Sequence, residues 1–214
     1  LFYDIINSKK RIDIKMNLID ELSKNKVLPI IRSADTQVVI DTAKALIDGG
    51  LNIMEINVET PSIFNAIKAL SNDAIICAGG IITSIQAQAA IDSGAKIISS
   101  PIFQHNLLKI SKDKRLPFIA GTSTANEAYT AWKSRIPLVK IYPITAMGGV
   151  EYIENLLRPM PFLNIIPQGN VKLEEVPEYI KAGAVAVGVG RNLTNADSYA
   201  EITKRAKNLL EQIR

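Results

Sequence analysis

Cysteine and histidine are almost absent from the chain. Cys77 and His105 are the single examples of each among 214 residues. An intrachain disulfide and a cysteine-based metal site are therefore excluded, as is a zinc site built from several histidines. Cys77 lies in the apolar run 74–78, which predicts a buried strand thiol in a reducing, cytoplasmic setting. His105 is predicted to lie at the start of a helix and to face solvent.

Aromatic residues and long apolar runs are also scarce. No apolar run reaches the length of a membrane span, and the mean hydropathy is only +0.13, so we expect a soluble protein with no membrane partner. The formal net charge is +4, and residues 1–15 carry half of that surplus. The other basic residues are scattered without interleaved aromatic residues. This argues against a nucleic-acid partner and is compatible with one anionic small molecule.

What the chain does contain, from Met16 onward, is a repeated unit of an apolar strand followed by a helix. The predicted strands cover residues 27–31, 51–58, 74–78, 96–99, 116–120, 138–142, 163–166 and 184–187. The predicted helices cover residues 18–24, 36–48, 61–70, 84–93, 104–112, a segment capped by Thr124 with Glu127, a segment from Gly149 to Leu157, and residues 174–181 and 198–213.

Eight such units predict an α/β fold in which parallel strands close into a (β/α)8 TIM barrel. An open doubly wound sheet is the alternative, but no G-x-G-x-x-G motif follows the first strand. We expect residues 16–214 to form a single barrel domain, and residues 1–15 to be an N-terminal extension.

Lys140 lies in the middle of the apolar strand 138–142. A buried ammonium group is costly unless it is paired or neutral, and a neutral amine is a nucleophile for carbonyl carbon. The strand therefore favours either a reactive lysine or a side chain that reaches solvent at the strand end. Strand alternation sends Lys140 and Tyr142 to the same, inward face.

Glu55 and Asn57 share one face of the second strand, and apolar residues occupy the other face. Since the apolar face should meet the helices, Glu55 and Asn57 are predicted to point into the barrel. Active sites of such barrels lie at the carboxyl ends of the strands, where the first strand ends in Arg32. Lys140 and Glu55 could carry Schiff-base chemistry and its proton transfers, or form a structural ion pair.

Glycine-rich turns are predicted after strands seven and eight. They read Pro167-Gln168-Gly169-Asn170 and Gly188-Val189-Gly190-Arg191. Loops at these places often bind phosphate through backbone N–H groups, and Arg191 can add positive charge. The alternative interpretation is that both are simply tight turns.

Several stretches together carry a resemblance that runs from about Met16 to the C-terminus. They are Val27-Leu28-Pro29-Ile30-Ile31-Arg32, Gly49-Gly50 with Met54-Glu55-Ile56-Asn57, Ala78-Gly79, Ser100-Pro101, residues 117–124 and Val139-Lys140-Ile141-Tyr142-Pro143. In these stretches the chain resembles the class I aldolases that act on 2-keto-3-deoxy-6-phosphogluconate (KDPG) and on 4-hydroxy-2-oxoglutarate (KHG).

The resemblance implies a homotrimeric (β/α)8 barrel that needs neither metal nor cofactor. It places the Schiff-base lysine at Lys140, the general base at Glu55 and the aromatic residue beyond the lysine at Tyr142. The implied substrate is a 2-oxo acid, possibly phosphorylated, that is cleaved to pyruvate and glyceraldehyde 3-phosphate or glyoxylate. The expected substrate-binding residues are Arg32, Tyr142, Pro101, Gln168, Gly169, Asn170, Gly188, Gly190 and Arg191.

Several positions depart from the family pattern. Glu59 stands where the family usually has an arginine that holds the substrate carboxylate, and Gly80 replaces a threonine. Gln168 falls in a turn that commonly reads Pro-Thr-Gly-Gly. The reaction type is therefore better supported than the substrate. Two alternatives stay open: another phosphate-binding barrel enzyme such as an epimerase or isomerase, and a degenerate barrel that binds a ligand or partner without turnover.

Overall fold

Parallel strands alternate with helices throughout the computed structural model, which describes residues 19–213. The predicted extension, residues 1–15, lies outside the described residues. The strands are β1 (Val27–Ile31), β2 (Ile53–Asn57), β3 (Ile75–Gly79), β4 (Ile97–Ser100), β5 (Phe118–Thr122), β6 (Leu138–Ile141), β7 (Ile165–Pro167) and β8 (Val187–Val189).

All eight strands belong to one parallel sheet in the order β7-β6-β5-β4-β3-β2-β1-β8. The sheet closes on itself between β7 and β8. Gln168 and Gly188 form a parallel bridge there, and the Val185 N–H donates to the Ile165 carbonyl at 3.0 Å. The predicted (β/α)8 barrel is confirmed.

The helices form the outer layer of the barrel. They are α1 (residues 19–25), α2 (Thr36–Asp48), α3 (Ile63–Leu70), α4 (Ser84–Asp92), α5 (His105–Lys114), α6 (Ala125–Lys133), α7 (Ile144–Met147), α8 (Gly149–Leu157), α9 (Val176–Lys181), α10 (Arg191–Thr194) and α11 (Tyr199–Gln212). Within residues 19–213, no helix combines the length and the apolar character that crossing a membrane requires.

Two apolar clusters hold these layers together. The larger one lies between the strands and the surrounding helices. The smaller one fills the barrel interior at the amino ends of the strands, and Leu22 of α1 packs against it from below. Its other members are Leu28, Ile53, Cys77, Ile97, Ile119, Leu138 and Ile166 on the strands, and Ala186 immediately before β8. Because this layer is apolar, polar side chains inside the barrel are confined to the opposite, carboxyl end of the strands.

The last two strands lie further along the chain than the sequence predicts. The eighth was predicted at residues 184–187 but forms at Val187–Val189, and the seventh was predicted at residues 163–166 but forms at Ile165–Pro167. Glycine is disfavoured in strands, so Gly188 was assigned to a turn. It is accommodated because its missing side chain leaves room for Gln168, whose Cβ lies 3.0 Å from where a Gly188 Cβ would be.

The turn predicted at residues 188–191 is shorter than expected, because Gly188 and Val189 belong to β8. Gly190 caps the single-turn helix α10, which the sequence analysis did not predict. The helix predicted at residues 174–181 begins as the 3-10 turn Leu173–Glu175, and only Val176–Lys181 is α-helical. His105 opens α5 with an exposed side chain, as expected.

The start of α6 has the predicted capping box. Thr124 accepts from the Glu127 N–H, and the Glu127 carboxylate accepts from the N–H groups of Ser123 and Thr124 at 2.8 and 2.9 Å. These backbone hydrogen bonds lower the pKa of Glu127 below its ordinary value. Ser123 also donates to the Tyr142 carbonyl at 2.7 Å. The capped helix start therefore fixes the loop that lies beside the end of β6.

Candidate active site

Lys140 and Glu55 form an ion pair inside the barrel. The Lys140 Nζ lies 2.7 Å from Glu55 Oε2 and 3.0 Å from Oε1. The two side chains are only 3% and 1% exposed. Removing two charges from water is costly, and it is offset only where geometry and further hydrogen bonds are favourable. The sequence prediction that both side chains point inward from β6 and β2 is confirmed.

Ser99 completes the coordination of the lysine. Its Oγ lies 2.6 Å from Lys140 Nζ, and the residue is fully buried on β4. An ammonium group has three N–H donors, and here two reach Glu55 and the third reaches Ser99. Ser99 was not predicted from the sequence, although alternation from the inward-facing Ile97 would have placed it on the inner face.

Three further side chains surround the Glu55 carboxylate. With the Asn57 amide assigned the orientation that satisfies both of its neighbours, its nitrogen donates to Oε1 at 3.1 Å, and Gln168 Nε2 lies 3.5 Å from the same oxygen. The Cys77 thiol faces Oε2 at 4.0 Å. Burial, with the nearby Glu55 charge, raises the pKa of Cys77 well above its usual value. Cys77 is therefore a neutral thiol below the ion pair, as its strand position predicts.

A network of hydrogen bonds connects the buried Lys140–Glu55 pair to the open end of the barrel. The Asn57 amide oxygen accepts from Arg32 Nε at 3.1 Å and from Nη2 at 2.7 Å. Arg32 Nε also lies 3.3 Å from Glu59 Oε1. The Arg32 side chain is 58% exposed, so Arg32 is the member of this hydrogen-bond network that a ligand can reach. Glu59, the residue that departs from the family pattern, is thus the anionic partner of Arg32.

Gly79 leaves room for the side chains of Glu55 and Asn57. A Cβ on Gly79 would collide with the Asn57 side-chain amide and lie 2.6 Å from Glu55 Oε1, so no larger residue fits without moving these groups. The neighbouring Gly80 has a φ of +71°. This left-handed backbone conformation is strained for a β-branched residue, so the threonine of the family pattern does not fit this turn as it is built here.

An open pocket of about 400 Å³ lies at the carboxyl ends of β1, β6, β7 and β8. Gln168 connects the pocket with the ion pair, since it lines the pocket and contacts Glu55. The lining residues are Ile30, Arg32, Tyr142, Pro143, Thr145, Gln168, Gly169, Asn170, Val171, Gly188, Gly190, Arg191, Asn192 and Thr194.

Most of the predicted substrate-binding residues meet in this pocket. Pro101 does not line it. It lies after β4, where its carbonyl packs against the Gly121 backbone, and its role stays a prediction. Thr145 and Asn192 were not predicted from the sequence. They donate to the carbonyls of Gly169 and Val171 at 2.9 and 2.7 Å and so hold the loop after β7.

The site places the Lys140 amine against the Glu55 carboxylate, and Arg32 and Arg191 line the pocket at the open end of the barrel. An amine beside a carboxylate can lose its proton to that carboxylate and attack a carbonyl carbon. Arg32 and Arg191 at the pocket give anionic groups a favourable place to bind. Among residues 19–213, no three histidine, cysteine or acidic side chains are placed to hold a metal ion together.

Known proteins with similar sequences are aldolases. A protein-family model described as KDPG and KHG aldolase matches residues 18–206. A 2-dehydro-3-deoxy-phosphogluconate aldolase from Treponema pallidum is 28% identical over 188 residues, which cover 86% of this chain and 90% of that protein.

Solved structures show the same fold. A 4-hydroxy-2-oxoglutarate and 2-dehydro-3-deoxyphosphogluconate aldolase from TTHB1 superimposes with a TM-score of 0.83 at 22% identity, and the match covers 92% of this chain and 98% of that one. The KDPG aldolase from Legionella pneumophila, captured with pyruvate as a covalent carbinolamine, gives a TM-score of 0.78 at 23% identity, with coverage of 87% and 96%.

Proposed function

Because this chain belongs to the KDPG and KHG aldolase family, we propose that Lys140 forms a Schiff base with its substrate and that Glu55 transfers the protons. The chain is a carbon–carbon lyase that cleaves a 2-oxo acid to pyruvate and an aldehyde. The observation that carries the assignment of the two residues is their ion pair, which is buried inside the barrel with the pocket beside it. Family membership favours this reaction over the isomerase and non-catalytic alternatives.

The first half of the reaction forms the iminium. Lys140 passes one proton to the Glu55 carboxylate across the 2.7 Å contact, and the neutral amine attacks the C2 carbonyl carbon of the substrate. Nζ then gives its extra proton to the former carbonyl oxygen, which yields a carbinolamine. Glu55 returns its proton to that hydroxyl group, water leaves, and an iminium with one N–H remains.

The second half breaks the carbon–carbon bond. The Glu55 carboxylate takes the proton of the C4 hydroxyl, the C3–C4 electron pair moves toward the iminium, and the aldehyde leaves. An enamine of pyruvate remains on Lys140. Glu55 gives its proton to C3, and hydrolysis of the resulting iminium frees pyruvate and restores the amine. In this scheme one carboxylate, next to the lysine, serves each proton transfer in turn.

We assign the substrate carboxylate to Arg32. The pocket contains Arg32 at one side and Arg191, Asn170 and the Gly188–Gly190 backbone at another. A 2-oxo acid with a second anionic group can therefore be held at both ends while its keto carbon faces Lys140. Glu59 competes for Arg32 at 3.3 Å, and this competition makes KDPG a poor substrate for the chain.

Changing Arg32 and Glu59 should move the Michaelis constant in opposite directions. A hydrogen bond to a charged group is worth about 1.5–3 kcal/mol, so Arg32→Ala should lower kcat/KM about 10- to 100-fold. Glu59→Gln should lower KM, since it frees the guanidinium. Steady-state cleavage of KHG and KDPG, with pyruvate release coupled to lactate dehydrogenase, measures both effects.

The control for this pair is Arg158→Ala, an exposed arginine at the end of α8, which should leave kcat/KM unchanged. Unaltered kinetics of Arg32→Ala would remove Arg32 from the carboxylate site. Efficient cleavage of KDPG by the wild type, at a kcat/KM of about 10⁴ M⁻¹s⁻¹ or more, would show that Glu59 does not hinder substrate binding.

We also propose that the chain acts as a homotrimer in the cytoplasm. Ile82, Ile85 and Ile102, near the ends of β3 and β4, are 50%, 82% and 54% exposed, and a partner subunit would cover them. Light scattering after size exclusion should give about three times the chain mass of 23.4 kDa, and Ile85→Lys should lower that mass. A monomeric wild type would contradict the proposal.

A further inference from the structure

We propose that Ser99 is a positioning residue for the Schiff base: its hydroxyl oxygen accepts the single N–H of the iminium on Lys140. The inference rests on the proposed function, because it concerns an intermediate of that reaction. It assigns a role to a side chain that the proton transfers of Glu55 do not use.

The Ser99 hydroxyl group lies at a depth where it needs a polar partner. Ser99 is fully buried and follows Ile97, which belongs to the apolar interior layer of the barrel. A buried hydroxyl is unfavourable without a hydrogen-bond partner. Its hydrogen-bond partner is Lys140 Nζ at 2.6 Å, and because an ammonium group can only donate, the Ser99 hydroxyl oxygen is the acceptor. The Ser99 lone pairs therefore remain directed at Lys140.

The number of N–H groups on the Lys140 nitrogen changes during the reaction. The resting ammonium has three, of which two reach Glu55 and one reaches Ser99. The iminium retains only one. If that N–H stayed on Glu55, the carboxylate would be held by the nitrogen when it has to take the C4 hydroxyl proton. An N–H held by Ser99 leaves Glu55 free to move protons between oxygen and carbon.

Ser99 and Glu55 approach the Lys140 nitrogen from different strands. Lys140 enters from β6, Glu55 from β2 and Ser99 from β4, so the nitrogen is held from two directions by residues on rigid strands. Rotation about the terminal bond of Lys140 is thereby restricted, and the nitrogen lone pair is oriented once Glu55 has taken its proton. Preorganisation of this kind raises the rate of a step without contributing to binding of the free substrate.

The test compares the rate at which pyruvate plus borohydride modifies Lys140 in wild type and variants, read by peptide mass mapping. Ser99→Ala should slow trapping about 10- to 100-fold, the range for loss of a hydrogen bond to a charged group. It should lower kcat while KM stays within about twofold. Ser99→Thr keeps the hydroxyl and should recover most of the rate. Ser99→Cys fills the same space with a weak acceptor and should be slow, so it decides the matter if Ser99→Ala does not fold.

Ser111→Ala is the matched control. Ser111 is also a buried serine with one hydrogen bond, to the Leu116 carbonyl, but it lies on α5 and should trap pyruvate at the wild-type rate. If the wild type traps pyruvate and both Ser99→Ala and Ser99→Cys trap it equally fast, the role of Ser99 is wrong while the proposed function stands. If the wild type forms no adduct on Lys140, the proposed function fails, and this inference fails with it.

Discussion

Replacing Lys140 with methionine should lower the rate of aldol cleavage by about 10⁴-fold or more, because the reaction loses its covalent intermediate. Methionine has a similar length and no amine, so the barrel interior stays filled. The same variant should form no pyruvate adduct. Coupled assays of pyruvate release and intact mass after borohydride reduction measure the two effects.

Lys26→Met is the matched control for this variant. Lys26 is also a partly buried lysine, but its Nζ donates to the Ile213 carbonyl at 2.8 Å on the opposite side of the barrel from the pocket. We expect it to change stability and to leave the catalytic rate within a few-fold of wild type. Cleavage by Lys140→Met at more than about a hundredth of the wild-type rate would contradict a lysine-dependent mechanism.

Replacing Glu55 with glutamine should slow cleavage by about 10²- to 10⁴-fold, the usual contribution of general acid–base catalysis. Glutamine keeps an oxygen that accepts from Lys140 Nζ, so a pyruvate adduct should still form, although more slowly. Single-turnover measurements of adduct formation and of cleavage separate the two steps. Wild-type turnover by Glu55→Gln would remove Glu55 from the mechanism.

Stability measurements distinguish lost chemistry from lost folding in these variants. Breaking a buried ion pair by removing one partner costs about 3–5 kcal/mol, whereas removing both charges is often neutral. Each single variant should therefore unfold at a lower denaturant concentration than wild type. The double variant Lys140→Met/Glu55→Gln should recover much of that loss and remain inactive, which would show that activity depends on the groups themselves.

Much of the site could be predicted from the sequence because a strand has a period of two. Leu138 and Ile53 face the apolar interior layer, and two residues further along the same strands Lys140 and Glu55 face the same interior. A charged residue within an apolar strand differs sharply in polarity from its neighbours, so it can be identified from the sequence. Ser99 obeys the same period but shows no such sharp difference, so it was missed.

Other features depend on contacts that a single segment does not contain. Whether Ser99 reaches Lys140 is set by the relative heights of β4 and β6, which lie on either side of β5. The strand position of Gly188 depends on Gln168, 20 residues earlier, filling the space beside it. Arg32 was predicted as a substrate-binding residue, whereas its pairing with Glu59 and Asn57 appears only when β1 and β2 are placed side by side.

The most direct test of the account is reduction of the wild-type protein with borohydride in the presence of pyruvate, followed by peptide mapping. The buried Lys140–Glu55 pair beside an open pocket predicts one stable secondary amine, carried by the peptide that contains Lys140. Borohydride without pyruvate should leave that peptide unmodified. No adduct, or an adduct on another lysine in place of Lys140, would contradict the assignment of Lys140 as the Schiff-base residue.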